Sequence, residues 1–146
     1  MDADASCPFC RIVSGRAPAH VLYADDAAVA FLDRAPLAEG HTLVVPRRHS
    51  RDLLDVDPVD AGALMASATR VARLLEDALG PDGMTLVQTN RAAGWQSSFH
   101  LHVHLVPRWE GDGLVLPGRP ERTSREALAA TRARILGRPR PPGVAP

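Results

Sequence analysis

Three histidines in the stretch HLHVHLVPR, residues 100–108, alternate with apolar residues. Alternation at period two predicts a β-strand, and it places His100, His102 and His104 on one face, about 6 to 7 Å apart. Converging imidazoles have two common uses, which are binding a metal ion and handling a phosphate group by nucleophilic attack and proton transfer. The plainer alternative is a half-buried strand whose histidines merely face solvent, although histidine is a poor choice for such a face. We therefore interpret 100–108 as the chemical centre of the chain.

A second candidate site is formed by Cys7 and Cys10, which are the only cysteines in the chain. A CxxC spacing in a reducing compartment is typical of half a zinc site or of a redox dithiol, and two inert cysteines are a third possibility. The redox motif belongs at the start of a helix after a core strand, and the sequence predicts no strand before Cys7. A tetrahedral zinc site needs two further ligands, for which His49 and His100 are available.

The rest of the chain must position these residues, and its pattern is that of an α+β protein with antiparallel strands and helices on one face of the sheet. Strands are predicted at 19–23, 29–33, 40–46, 84–89 and 100–108. One long helix is predicted from Pro58, capped by Asp57, to a stop at Gly80. A shorter C-terminal helix is predicted after the capping pair Thr123 and Glu126.

Domain organisation follows from the same pattern. We expect residues 1–136 to form a single domain, with the shorter helix ending at Gly137. Residues 137–146 are rich in proline and have no apolar pattern, so we predict a disordered tail there.

Composition and charge favour a small-molecule ligand. The 146 residues suffice for one domain with its own core, and 45% of them are hydrophobic. Because 17 basic residues balance 17 acidic residues, no net charge draws the protein onto nucleic acid or an anionic membrane. No apolar run approaches the roughly 20 residues that span a bilayer, and the first residues, MDADAS, lack the features of a signal peptide. We expect a cytoplasmic protein with no nucleic-acid or membrane partner.

The alternation of histidine and apolar residues, followed by Pro107 and Arg108, resembles the defining motif of the histidine triad (HIT) family. With its CxxC pair, the chain looks like the Hint-like branch that carries an N-terminal zinc motif. The resemblance implies a HIT-like fold, a five-stranded antiparallel sheet with one long helix and a shorter C-terminal helix, paired with a twofold mate in a homodimer. It also implies structural zinc and no catalytic metal. The implied zinc ligands are Cys7, Cys10, His49 and His100.

The same resemblance implies roles for individual residues near the phosphate. His102 matches the family nucleophile, and His104 matches the residue beside the phosphate oxygen or the leaving group, where it can give a proton. His41 matches a fourth histidine that supports the triad by hydrogen bonding. Asp33, in the phrase FLDRAP, matches the carboxylate that accepts hydrogen bonds from the ribose hydroxyls. The matching nucleotide-binding residues are Asp33, Asn90, Gln96, Ser97, His102 and His104.

Several of these residues have plainer interpretations when they are taken alone. Asp33 is then a turn residue at the end of a strand, and His41 is a partly exposed capping residue. Asn90, Gln96 and Ser97 are then ordinary loop formers. The loop also departs from the family, which often has glycine directly before the glutamine, whereas a tryptophan stands between them here.

The function implied by the resemblance is cleavage of nucleoside phosphoramidates or related nucleotidyl substrates through a nucleotidyl-histidine intermediate. The expected ligand is a purine nucleotide of the AMP type. Hydrolysis or phosphorolysis of dinucleoside polyphosphates is the nearest alternative, since the same catalytic strand serves both. A nucleotide-binding or interaction protein with weak turnover is a second alternative, and a catalytic metal held by His100, His102 and His104 is a third.

Overall fold

The computed structural model describes residues 5–115, 117–118 and 120–137. The strands within these residues are β1 (Val21–Ala24), β2 (Ala28–Leu32), β3 (Thr42–Pro46), β4 (Gly83–Val87) and β5 (Val103–Arg108). The helices are α1 (Pro8–Val13), α2 (Pro58–Leu79) and α3 (Arg125–Leu136), with a 3₁₀ turn at Ala92–Gly94. These elements confirm the expected α+β class.

The strands form one antiparallel sheet in the order β1-β2-β3-β5-β4. This confirms the five-stranded antiparallel sheet with one long helix and a shorter C-terminal helix. The chain divides into two compact units, of which the first ends at Leu114 and contains the sheet, and the second begins at Val115 and contains α3. The tail predicted for 137–146 lies, after Gly137, outside the described residues.

The two faces of the sheet carry different cores, because successive side chains of a strand point to opposite faces. The core between α2 and the sheet contains residues of both, which are Ala28, Ala30, Val44, Leu101, Val103 and Leu105 from the sheet side and Leu64, Ala68, Val71 and Leu75 from α2. The residues on the opposite face are Val29, Phe31, Leu43 and Val45, with Phe9, Ile12 and Val13 of α1 packed on them. The sequence did not predict α1, and its packing corrects the expectation that helices cover one face only. A helix of 6 residues is too short to show an apolar period.

Helix α2 begins and ends where its sequence predicts. The Asp57 carboxylate accepts a hydrogen bond from the Val59 N–H (2.8 Å) and so caps the first turn, which holds Pro58. Gly80 ends the helix in the left-handed conformation, at φ 57°. The buried stripe of this helix contains Leu64, Ala68, Val71 and Leu75. None of the helices within the described residues combines the length and the apolar character needed to cross a bilayer.

Strand β5 is shorter than the alternation of 100–108 predicts. It begins at Val103, so that His100 and His102 precede it in irregular backbone. The N–H of Leu101 donates to the Ser50 carbonyl (2.7 Å) and draws this segment toward the turn after β3. The alternation of faces nevertheless continues through this segment, because Leu101, Val103 and Leu105 pack on the α2 side while His102 and His104 line the opposite side.

The cap of α3 differs from its predicted position by one residue. The hydroxyl of Ser124 accepts a hydrogen bond from the Ala127 N–H (3.1 Å), which makes Ser124 and not Thr123 the N-cap. The helix ends at Leu136, with Gly137 as its C-cap, as expected. The serine lies one residue nearer to the first helical turn, and this decides which hydroxyl reaches the N–H groups.

Asp25 joins the β1–β2 turn to α2 through buried and half-buried hydrogen bonds. The donors are the hydroxyls of Tyr23 (2.8 Å) and Ser67 (2.7 Å), the backbone N–H groups of Ala27 and Ala28 (both 2.8 Å) and, in a more exposed bond at 3.4 Å, the guanidinium of Arg70. Burial by itself raises the pKa of the Asp25 carboxyl, but the hydrogen bonds outweigh burial and lower the pKa from 3.8 to about 2. The folded protein therefore holds this carboxyl in its charged form.

We expect Asp25→Asn to lower the free energy of unfolding by about 2 kcal/mol at pH 7, since each unit of pKa shift corresponds to about 1.4 kcal/mol. Because the folded pKa lies below the unfolded one, this contribution is complete above pH 3.8 and is lost as the pH falls toward about 2. Denaturant unfolding at pH 7, 4 and 2 should show the difference between the two proteins shrinking with acid. Asp26→Asn, at the exposed neighbouring position, is the matched control and should change stability by less than about 0.5 kcal/mol. Equal losses in both variants would contradict the role of Asp25.

Candidate functional site

A cavity of about 1040 Å³ opens on the sheet face that carries α1. Its apolar wall includes Phe9, Ile12, Phe31 and Leu43. Its polar lining includes Asp33, His102 and His104. An apolar wall with a few convergent polar groups is the usual composition of a small-molecule site, and the volume suits a ligand of mononucleotide size.

The structure divides the three motif histidines between two clusters. The rings of His102 and His104 lie 4.8 Å apart, and both line the cavity. His100 is completely buried, and its Nδ1 lies 3.4 Å from the sulfur atoms of Cys7 and Cys10. His100 therefore lies with the cysteines, as the family resemblance implies, while His102 and His104 share the cavity.

One nitrogen of His102 carries a proton and the other a free lone pair. Nδ1 lies 2.7 Å from the carbonyl oxygen of His100, and a carbonyl only accepts, so Nδ1–H is the donor. Burial lowers the pKa of His102 below its ordinary value, while the hydrogen bond to His100 and the charge of Asp33 oppose this without reversing it. His102 is therefore neutral at pH 7, with an unprotonated Nε2, which is the form that a nucleophilic imidazole requires.

A chain of hydrogen bonds sets the protons of the next two histidines. The Leu37 N–H donates to Nδ1 of His41 (3.0 Å), so Nε2 of His41 carries the proton that it donates to Nδ1 of His104 (2.9 Å). The remaining proton of a neutral His104 is then on Nε2. Burial lowers the pKa of His104 to about 4, the charges of His102 and His41 act in the same direction, and Asp33 opposes them. His104 is thus a neutral donor in the free protein.

Asp33 lies at the end of this chain and lines the cavity. Its Oδ1 accepts from the Ala35 N–H (2.9 Å), and its Oδ2 lies 3.6 Å from Nε2 of His41. Asp33, His41 and His104 are close enough to form a metal site, with ligand atoms within 4.8 Å of one another. A metal on Nε2 of His41 requires a proton on Nδ1, and the Leu37 N–H already occupies that nitrogen. We therefore interpret this cluster as a hydrogen-bonded support for His104.

The four residues predicted to bind zinc do form one cluster. Their ligand atoms lie within 4.8 Å of one another, and the distance from Cys10 Sγ to His49 Nδ1 is 3.2 Å. The His100 Nε2–H donates to the Pro46 carbonyl (2.9 Å), which leaves Nδ1 with its lone pair facing the sulfur atoms. Tetrahedral zinc with two sulfur and two nitrogen ligands places those ligands about 3.3 to 3.8 Å apart. The chemistry and spacing of Cys7, Cys10, His49 and His100 therefore fit zinc.

Helix α1 connects the cysteine cluster to the cavity, a link that the sequence did not predict. Phe9 lies between the two cysteines in the chain, and its ring stands edge-on to His102 at 5.1 Å and to Phe31 at 5.6 Å. The same short helix thus carries two candidate zinc ligands and part of the wall beside His102. Proline directly after Cys7 was the available sequence signal, because it is typical of the first position of a helix.

Gln96 braces the loop before the histidines from within. Its Oε1 accepts from the Arg91 N–H (2.6 Å), and its Nε2 donates to the carbonyls of Arg51 (2.6 Å) and Ser98 (3.0 Å). The side chain is buried, and it is Ser97 next to it that lines the cavity. Its hydrogen bonds in this structure are thus to the protein, and the nucleotide contacts of Gln96 and Ser97 stay predictions.

Asn90 ties the same loop to the segment after β3. Its Oδ1 accepts from the Leu53 N–H (2.8 Å), and its Nδ2 donates to Gln88 (3.0 Å). Within the loop, Arg91 and Trp95 have positive φ values of 61° and 71°, which are strained for residues other than glycine. The many hydrogen bonds of the loop stabilise these strained backbone conformations. The nucleotide contact of Asn90 also stays a prediction.

Comparison with known proteins identifies relatives of this arrangement. A family model described as HIT domain matches residues 14–111. The adenylylsulfatase HINT3 of Arabidopsis thaliana is 36% identical over 108 residues, which cover 74% of this chain and 55% of that protein.

Solved structures share the fold, among them the following two. A Zn-bound histidine triad family protein from Mycobacterium smegmatis has a TM-score of 0.73 and 38% identity, and the match covers 88% of this chain and 97% of that one. A histidine triad nucleotide-binding protein from Candida albicans has a TM-score of 0.81 and 25% identity, with 90% of this chain and 96% of that one covered.

Proposed function

The chain belongs to the histidine triad (HIT) family, and we propose that it is a hydrolase or transferase that cleaves nucleoside phosphoramidates or related nucleotidyl substrates through a nucleotidyl-histidine intermediate. One observation carries the proposal. The His102 Nδ1–H donates to a backbone carbonyl, which leaves Nε2 unprotonated. The same side chain lines a cavity of mononucleotide size. A fixed, neutral imidazole of this kind is suited to attack phosphorus.

The proposed ligand is a purine nucleotide of the AMP type. The apolar side chains of Phe9, Ile12 and Phe31 provide a surface for a base, and Asp33 has acceptor oxygens for ribose hydroxyls. Ser97 lines the cavity and is proposed as a phosphate contact. Asn90 and Gln96 are proposed to support nucleotide binding by stabilising the loop before the histidines.

In the proposed first step, Nε2 of His102 forms a bond to the α-phosphorus, and the bond to the leaving group breaks with its electron pair on that group. The anionic phosphate of the bound nucleotide raises the pKa of His104 above its value in the free protein, so His104 takes up a second proton from solvent. As an imidazolium it gives one proton to the leaving amine and returns to the neutral form. The Nδ1–H of His102 remains hydrogen-bonded to the His100 carbonyl, and this hydrogen bond stabilises the charged nucleotidyl-imidazole. Water then attacks phosphorus, His102 regains its electron pair, and the proton released from water returns to His104.

Zinc is proposed to have a structural role. Cys7, Cys10, His49 and His100 would hold it, and bound zinc would cross-link α1 to the turn after β3 and to the segment before β5. The Zn-bound relative from Mycobacterium smegmatis supports this. No catalytic metal is needed for the steps above. The family resemblance also supports a homodimer and a cytoplasmic location, both as proposals.

Two further substrate classes compete for the same site. The Arabidopsis thaliana relative is named an adenylylsulfatase, which favours adenosine 5′-phosphosulfate as a second candidate. Dinucleoside polyphosphates remain the other alternative. Each class presents the same adenylyl group to His102 and differs only in the group that leaves.

The decisive experiment offers adenosine 5′-phosphoramidate, adenosine 5′-phosphosulfate and diadenosine tetraphosphate to the protein, with and without inorganic phosphate. Release of AMP measures hydrolysis. Release of ADP from the phosphosulfate in the presence of phosphate measures phosphorolysis. Rapid quenching followed by peptide mass spectrometry should locate an adenylyl group on His102. Nucleotide binding without release of product from any substrate would identify a binding protein and overturn the enzymatic proposal.

We expect His104→Gln to slow substrates with an amine leaving group far more than substrates with a sulfate leaving group. An amine must receive a proton as its bond to phosphorus breaks, and general-acid catalysis contributes about 100-fold or more, whereas sulfate leaves as a stable anion. Comparison of kcat/KM for adenosine 5′-phosphoramidate and 5′-phosphosulfate measures the difference. A loss of the same size for both substrates would contradict proton donation by His104.

A further inference from the structure

Four groups of the candidate site form a connected series that runs from Asp33 through His41 and His104 to His102. Asp33 Oδ2 lies 3.6 Å from Nε2 of His41, which hydrogen-bonds to His104 (2.9 Å). The rings of His104 and His102 then lie 4.8 Å apart. The proposed ribose contact thus lies at one end of the series and the proposed nucleophile at the other.

The backbone next to His102 is paired with the backbone next to Arg51. The N–H of Leu101, the residue before His102, donates to the Ser50 carbonyl (2.7 Å). Arg51 is the next residue and lines the same cavity, as do the loop residues 97–99. The residues that we name the arginine rim are Arg51, Ser97, Ser98 and Phe99. The rim therefore lines the cavity beside the segment that carries His102.

The backbone of Arg51 is fixed by hydrogen bonds, while its side chain is largely exposed to solvent. The Arg51 N–H donates to Asp55 Oδ2 (2.8 Å), and its carbonyl accepts from Nε2 of Gln96 (2.6 Å). The side chain is 69% exposed, and its Nε meets Asp55 across 3.6 Å, a distance typical of a weak surface pair. Arg34 also lines the cavity, but it directly follows Asp33 and so lies on the ribose side. Arg51 is therefore the cavity arginine whose backbone segment pairs with the segment of the proposed nucleophile.

We propose that the arginine rim is the leaving-group subsite and that Arg51 selects substrates whose leaving group is an anion, such as sulfate, phosphate or a second nucleotide, over substrates that release a neutral amine. The inference rests on the proposed function, because it assumes that His102 attacks the α-phosphorus. It adds a specificity-determining residue for the group that leaves that phosphorus.

The physical reason is the charge that develops as the bond breaks. When Nε2 of His102 bonds to phosphorus, the P–O bond to sulfate breaks with both electrons on the sulfate oxygen, and sulfate departs as a dianion without taking a proton. A guanidinium offers two parallel N–H donors to such an oxyanion, and the interaction strengthens as charge accumulates. A leaving amine carries no negative charge and gains nothing from Arg51.

The test compares Arg51→Gln with the unaltered protein on two substrates that share the adenylyl group. We expect kcat/KM for adenosine 5′-phosphosulfate to fall about tenfold to a hundredfold, the effect of losing a hydrogen bond to a charged group. We expect kcat/KM for adenosine 5′-phosphoramidate to stay within about twofold, since a surface charge by itself contributes little. Arg51→Lys retains the charge without the fork and should recover part of the lost rate.

Arg48→Gln is the matched control. Arg48 is 65% exposed, pairs with Asp60 at 3.3 Å and lies three residues before Arg51, outside the cavity lining. It should leave both substrates unaffected, and thermal unfolding should be the same for all variants. Equal losses for both substrates in Arg51→Gln, or no loss for the phosphosulfate, would overturn the inference while leaving the proposed function intact. Failure of the unaltered protein to cleave either substrate would overturn the proposed function, and the inference with it.

A further variant tests whether the negatively charged leaving group that binds at the arginine rim is a small anion or a second nucleotide. Phe99 is 56% exposed on the rim and can stack against a base. If the leaving group is a nucleotide, Phe99→Ala should lower kcat/KM for diadenosine tetraphosphate by about tenfold, given the usual strength of base stacking, and leave the phosphosulfate unchanged. If Arg51→Gln alone affects both anionic substrates, the subsite binds the anion and not the base.

Discussion

Replacement of His102 by alanine is expected to lower kcat/KM for adenosine 5′-phosphoramidate by at least about 10⁴-fold, because the nucleophile of a covalent mechanism has no substitute. AMP should still bind, since Asp33 and the apolar wall remain. Turnover is measured by AMP release and binding by calorimetry. The adenylyl group found by mass spectrometry in the unaltered protein should disappear.

His20→Ala is the matched control for the loss of an imidazole from the cavity. His20 is exposed and lines the same cavity at a distance in sequence from the motif. Most of the activity should remain in this variant. A His102→Ala protein that folds, binds AMP and keeps its rate would show that another group attacks phosphorus. Thermal unfolding of the variant verifies folding, because the His102 ring packs against Phe9.

Loss of the cysteine cluster is the second large effect that we expect. In Cys10→Ser the protein should no longer retain about one zinc per chain, and the free energy of unfolding should fall by about 4 kcal/mol, the contribution of a ligand present at 1,000 times its dissociation constant. A helix of 6 residues does not form stably without tertiary contacts, so α1 should loosen. AMP affinity should then fall as well, because Phe9 and Ile12 of α1 line the cavity.

A chelator provides the internal control for this prediction. It should lower the melting temperature of the unaltered protein and have no effect on Cys10→Ser, because that variant has no bound zinc to lose. Metal content is measured by mass spectrometry of the purified protein. An unaltered protein that contains no zinc and melts at the same temperature with the chelator would refute the zinc site.

Local signals in the sequence predicted most of the fold. The boundaries of α2 follow from Asp57, Pro58 and Gly80, whose capping chemistry depends only on neighbouring residues. The strands follow from apolar runs in the same way. Helix α1 was not predicted, because a short helix has no apolar period and its stability depends on packing with distant residues such as Phe31.

Residue types and spacing by themselves determined the available chemistry, which is a CxxC pair able to bind zinc and alternating histidines able to handle phosphate. The family resemblance of the sequence also implied that His100 joins the cysteines and that His102 faces the phosphate. Only the tertiary structure decided which partner holds each ring, and so which nitrogen of each ring carries its proton. The reason is that the deciding partners are distant in sequence. Cys10 and His100 are 90 residues apart, and His100 and the Pro46 carbonyl are 54 apart, so no local pattern records these contacts. Ser50 and Leu101 are likewise distant in sequence, and only their backbone hydrogen bond brings the segment of Arg51 beside the segment of His102.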